Sequence, residues 1–143
     1  MTLYVLAAML SWLPVRTPTR LAEYRTIARA CVHTSNSDPE EAVTCVTLAS
    51  LESGFKLRAR NRRSGARGAW QLLGGHVPEN PDEQAHEAMR RWHVGRCLYT
   101  GETARAPTCP LADARYFRAL DWLHEHPFAP GPQVATLSPW RKL

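Results

Sequence analysis

Apolar positions recur along this chain with two periods, and the switch between them marks the fold. Leu6, Met9, Leu10 and Leu13 are spaced as one helical face, and Leu21, Tyr24, Ile27, Ala28 and Cys31 predict a core helix over 21–32. The next helix carries its own start signal. Asp38 is placed to cap, Pro39 suits the first turn and Glu41 stands at the capping-box position. It should run to about Glu52, with Ala42, Cys45, Val46, Leu48 and Ala49 inward and Gly54 as its stop. There the period drops to two: Phe55, Leu57 and Ala59 alternate with Lys56, Arg58 and Arg60, as a half-exposed strand requires. A turn at 61–65, with Ser64 and Gly65, and a return over 66–72 containing Gly68 complete an expected small β-hairpin. Helical spacing resumes at Asn80-Pro81 with Ala85, Ala88, Met89 and Trp92, ending near Gly95. A loop follows over 97–108. A last helix is expected from Pro110, carrying Leu111, Ala114, Phe117, Leu120 and Leu123 and stopping at His126-Pro127. The expected class is mostly α (α+β), with one hairpin after the third helix.

With 143 residues the chain is sized for one domain, 1–143, with a proline-rich tail over 128–143. Within 1–20, the first fifteen residues have the apolar length of a signal segment. They lack a basic start and an A-x-A site, so a helix packed on the domain is the preferred reading. The run is too short to span a membrane. The net charge of +5 favours a polyanionic partner, and its placement is informative. Lys56, Arg58, Arg60, Arg62, Arg63 and Arg67 put six positive charges within twelve residues. These lie on a strand-like and turn segment rather than on a helix face, which argues against a nucleic-acid-binding helix. Four cysteines form two local pairs, Cys31 with Cys45 and Cys97 with Cys109. Two disulfides in an oxidising compartment and four small buried apolar side chains both fit. The six histidines give no metal-ligand spacing, so neither metal nor cofactor is implied.

The chemistry concentrates in Ala49-Ser50-Leu51-Glu52-Ser53-Gly54-Phe55 and Ser64-Gly65-Ala66-Arg67-Gly68-Ala69-Trp70-Gln71-Leu72. An acidic residue at a helix end, then Ser-x-Phe, then Ser-x-Ala-x-Gly and a following Gln, resembles the soluble lytic transglycosylase family of the lysozyme-like superfamily. The resemblance covers about 24 residues strictly. It implies a lysozyme-like helical fold, with Glu52 matching the family's catalytic acid, Ser53 the serine beside it and Gln71 the glutamine closing the motif. Gly65 and Gly68 match its turn glycines. The family's later Tyr-Asn-Ala-Gly-like segment has its nearest counterpart in Leu98-Tyr99-Thr100-Gly101, which makes Tyr99 a substrate-binding candidate.

Independently of the resemblance, glycosidic cleavage needs an acid that is protonated near neutral pH. Glu52 would stand in the last turn of an apolar helix, where the negative end of the helix dipole and partial burial both disfavour the carboxylate. From Ser53 through Pro78 there is no Asp or Glu; Glu79, Asp82 and Glu83 come next. A hydrolase normally supplies two carboxylates, so a one-carboxylate mechanism using the substrate's own groups fits better. This agrees with what the resemblance implies, Glu52 acting first as acid and then as base to give a 1,6-anhydro product. Ser53 and Gln71 either touch substrate or bond local backbone. Trp70 and Trp92 either stack on sugar rings or fill the core, with Trp70 the better candidate for sugar.

The activity that the resemblance implies is cleavage of the MurNAc-GlcNAc β-1,4 bond of peptidoglycan. The alternatives are a muramidase and an inactive glycan-binding or structural protein. The expected partner is the peptidoglycan glycan strand, with no nucleic acid and no transmembrane span. The expected place is the cell wall, periplasmic or extracellular, or in a phage virion or secretion apparatus.

Overall fold

A computed structural model describes residues 1–74, 76–95 and 114–128. They form five helices: α1 (Thr2–Trp12), α2 (Pro18–Thr34), α3 (Pro39–Ser53), α4 (Pro81–Gly95) and α5 (Ala114–Glu125). The protein is mostly α. No strand occurs among the described residues, and no described helix is long and apolar enough to cross a membrane.

The helix starts follow from local chemistry. Thr17 Oγ1 accepts from Arg20 N–H at 3.3 Å, and Asp38 Oδ1 accepts from Glu40 and Glu41 N–H at 2.9 and 3.1 Å. Asn80 Oδ1 does the same for Asp82 N–H at 2.8 Å. In each case a proline follows the capping residue, where its missing N–H costs nothing.

The centre of the molecule is α3, which packs against all four other helices. From Cys45 to Leu51 every residue is buried, including Thr47, which donates to Val43 O at 2.7 Å instead of to water. The sequence predicts a single inward stripe here, whereas the structure buries the helix all round from Cys45 to Leu51. A disulfide joins Cys31 of α2 to Cys45 of α3 across 14 residues. Cys97 and Cys109 lie outside the described residues.

The N-terminal run is part of this core. Val5, Ala8, Met9 and Trp12 form its buried face, while Leu6, Leu10 and Leu13 pack only partly, so the face is rotated from the predicted one. Trp12 Nε1 donates to His126 O at 3.1 Å, and Tyr4 meets Phe128 edge-on at 5.2 Å, tying α1 to the end of α5. Leu120 and Leu123 of α5 are buried as expected; the predicted start at Pro110 lies outside the described residues, and α5 is described from Ala114.

The expected hairpin is replaced by a run of turns. Burial does alternate, with Phe55 buried, Leu57 and Ala59 half-buried, and Lys56, Arg58 and Arg60 exposed. The backbone nevertheless turns, with Ala59 N–H donating to Lys56 O at 3.1 Å, and only two isolated antiparallel bridges form, Arg60 with Arg67 and Arg67 with Leu72. Left-handed backbone at Gly65, Gly68 and Gln71 interrupts the return strand before a ladder can extend. The predicted turn at 61–65 is present, nucleated by Asn61 Oδ1 accepting from Arg63 and Ser64 N–H at 2.9 and 3.1 Å.

Candidate functional site

Glu52 lies on the last turn of α3, half-buried, at the edge of a cleft of about 470 Å³. Leu13 and Val15 from the α1–α2 connection, Arg20 and Tyr24 from α2, and Ser53 and Lys56 line the same cleft. The helix end that carries Glu52 is fixed from several directions. Gly54 takes a left-handed conformation (φ 62°) and its N–H closes on Ser50 O at 3.0 Å. Phe55 follows at φ 63°, a strained conformation for a bulky side chain that survives only when packing over-determines it. That packing is visible: the Phe55 ring stacks with Trp12 at 6.5 Å and meets Tyr24 edge-on at 4.9 Å, fully buried.

Arg20 completes the clamp. Its guanidinium donates to Gly54 O at 2.8 Å and Phe55 O at 3.0 Å, pairs with Glu23, and lies over the Tyr24 ring at 5.4 Å. The two carbonyls just beyond the end of the Glu52 helix are thus held by one planar fork. Tyr24 is buried apart from the edge it presents to the cleft, and its hydroxyl donates to Leu13 O at 2.9 Å. Neither Arg20 nor Tyr24 is distinguished by any motif in the sequence. Tyr24 is read in the sequence as a core position, and Arg20 lies outside the predicted helix over 21–32, which in the structure starts earlier, at Pro18.

The other predicted residues divide. Ser53 lines the cleft, but its hydroxyl donates to Ala49 O at 3.3 Å and accepts from Lys56 N–H at 3.0 Å, so it shapes the helix end. Gln71 is buried, with left-handed backbone, and its amide donates to Gly68 O at 3.0 Å; it braces the turn segment and does not line the Glu52 cleft. Ser64 is exposed and accepts from Ala66 N–H at 3.3 Å, next to Gly65 in a left-handed turn. Gly68 is required by close packing as well as by its φ of 79°, because a Cβ there would stand 2.1 Å from Gln84 Oε1.

Trp70 corrects the sequence reading. It is fully buried and its indole N–H donates to Cys45 O at 2.9 Å, so its ring is core and offers no face to a sugar. Trp92 is likewise buried. Tyr99 lies outside the described residues. Among the described residues no group of three His, Cys, Asp or Glu is arranged to hold a metal ion.

The acidic residues that follow Glu52 in sequence are elsewhere. Glu79 lines a separate cavity beside Arg58 and Arg67, while Asp82 and Glu83 line another with His33 and His86. Among the described residues, Glu52 is the one carboxylate lining its cleft. What this arrangement offers chemically is a single half-buried carboxyl group, rigidly mounted, with Lys56 as a neighbouring cation. Compared with known protein families, characterised proteins and solved structures, the chain gives no match.

Proposed function

We propose that this protein cleaves the MurNAc-GlcNAc β-1,4 bond of peptidoglycan as a lytic transglycosylase of lysozyme-like type. The observation that carries the proposal is Glu52, half-buried at a clamped helix end, as the one described carboxylate lining a cleft of about 470 Å³. A lone carboxyl group fits a mechanism in which the same residue acts twice. Glu52 first protonates the glycosidic oxygen as the bond to the muramic carbon breaks. The resulting carboxylate then takes the proton of the muramic 6-hydroxyl, whose oxygen closes on that carbon, so that no second carboxylate and no water are consumed. The resemblance of 49–72 to the transglycosylase signature supports the same assignment. The partner in this reading is the glycan strand, and the place of action is the cell wall, reached from the periplasm, from outside or within a virion.

Zymography on purified wall, with Glu52→Gln as the control, tests the proposal. Wild type should clear the wall, and the variant should lose at least about 100-fold, the usual lower range for a general acid–base group. Mass spectrometry of the digest should show 1,6-anhydro ends. Reducing ends alone would make the protein a muramidase. Wall binding without clearing by wild type would make it an inactive glycan-binding protein.

A further inference from the structure

A second cavity, of about 380 Å³, opens on the other side of the segment that leaves the Glu52 helix: Lys56 lines the Glu52 cleft, and Leu57 lines this one. Arg58, Arg60 and Arg67 stand around it, and none of the three has an ion-pair partner among the described residues. Among the described residues, Glu79 is the one acidic residue on the rim. The bridge between Arg60 and Arg67 sets two of the guanidinium-bearing residues side by side on neighbouring backbone. Leu57, Val77 and Pro78 give the wall an apolar side.

Gln84 gives the cavity a further polar group. It is 93 % buried (7 % exposed), and its Nε2 donates to Pro78 O at 2.9 Å, which fixes the amide orientation. Its Oε1 is then left buried with no hydrogen-bond partner, against Gly68, a glycine that also lines the cavity.

We propose that this cavity binds the terminal carboxylate of a short peptide with small apolar side chains. Guanidinium forks take the carboxylate, as their planar geometry favours. The apolar side of the wall takes a methyl side chain. A polyol phosphate would satisfy the arginines but leave the apolar wall against hydroxyls. A nucleic acid strand would bring bases, and among the described residues no aromatic side chain lines the cavity to stack on them. The identification of this peptide with the stem peptide of peptidoglycan rests on the proposed function; the carboxylate site itself does not.

Isothermal titration of the full chain with N-acetyl-D-Ala-D-Ala, as free acid and as C-terminal amide, tests this. The free acid should bind at least tenfold more tightly than the amide. The variant Arg58→Gln/Arg60→Gln/Arg67→Gln, shown to be folded by circular dichroism, should lose at least tenfold, whereas Arg62→Gln/Arg63→Gln should stay within twofold. Equal binding of acid and amide, no binding at all, or equal losses in the two variants would overturn the proposal. Tighter binding of a glycerol phosphate trimer or of an oligo-dT strand would overturn it in favour of a polyanion surface. Repeating the titration with Glu52→Gln separates the two readings. Peptide binding without wall cleavage by wild type removes the transglycosylase and keeps the site; cleavage without peptide binding does the reverse.

Discussion

Glu87 should make the stability of this protein acid-sensitive in a defined window. Its carboxylate accepts from Arg90 Nε and Nη2, each at 2.8 Å, and from Arg91 Nε at 2.6 Å. The bonds from Arg90 are the largest influence and pull the Glu87 carboxyl down from 4.5 to about 2, with burial opposing and Arg91 reinforcing the shift. At about 1.4 kcal/mol per pH unit, a displacement of that size sets a ceiling of about 3 kcal/mol at neutral pH. The Glu87 side chain keeps 19 % of its surface exposed and Arg90 34 %, so solvent screening lowers the expected value to about 1–2 kcal/mol. Because the folded protein holds this proton less tightly than the unfolded chain, the stabilisation is complete above about pH 4.5. It disappears as the pH falls through about 2. Urea unfolding of wild type and Glu87→Gln should therefore show a gap of about 1–2 kcal/mol at pH 7 that closes between pH 4.5 and 2. A gap that stays constant from pH 7 to 2.5 would refute the reasoning. The consequence reaches beyond α4, since Arg91, 2 % exposed, also donates to Leu73 O at 2.6 Å and so anchors the end of the turn segment.

Three further outcomes follow from named contacts. Replacing Cys31 and Cys45 together by Ala opens a 14-residue closure and should cost roughly 3 kcal/mol in urea unfolding; an unchanged midpoint would show that the bridge does not constrain the unfolded chain. Gly68→Ala should destabilise by about 1–2 kcal/mol, since beside the positive φ its Cβ requires the end of the buried Gln84 side chain to shift. Gly65→Ala, whose nearest neighbour is 4.0 Å away, should cost only about 1 kcal/mol of backbone strain, and the reverse order would count against the packing argument. Trp70→Phe should lose about 1–3 kcal/mol through the missing bond to Cys45 O while leaving the KM for wall unchanged; a raised KM at full stability would restore the sugar-stacking role.

The legible part of the fold is the part encoded locally. Asp38 and Pro39 start α3 and Gly54 ends it through atoms within a few residues of one another, so their identities suffice. What surrounds a helix is not local. Val43, Thr47 and Leu51 fall off the predicted stripe of α3 and are buried nonetheless, because α3 packs against every other described helix. The same holds for α1, where the long side chains of Leu6 and Leu10 suggest one face and the packing of Trp12 beside Phe55 selects another. At 55–60 the alternating pattern correctly gives which side chains face inward, but burial alternation does not require a ladder. A ladder needs a continuous partner, and the left-handed residues at 65, 68 and 71 remove it.

The candidate site shows the same division more sharply. Glu52 stands out in sequence through its placement before Ser53-Gly54-Phe55 and the glycine-rich segment, since a carboxyl group at a helix end is by itself more often a solvated charge. Arg20 is not visible, because what it binds is backbone: the carbonyls of Gly54 and Phe55 have no signature in the side chains that surround them. Trp70 is misread for a related reason, since an indole suits a sugar face and a core equally, and the deciding partner is again a carbonyl, that of Cys45. Ser53 and Gln71 spend their polar groups on Ala49 O and Gly68 O, so in this protein the motif residues around Glu52 act mainly by forcing its two flanking segments into left-handed turns. The charged groups that line the two cavities are Lys56 at one and Arg58, Arg60 and Arg67 at the other, and the segment 56–58 between them is where changes in what the cavities bind should map.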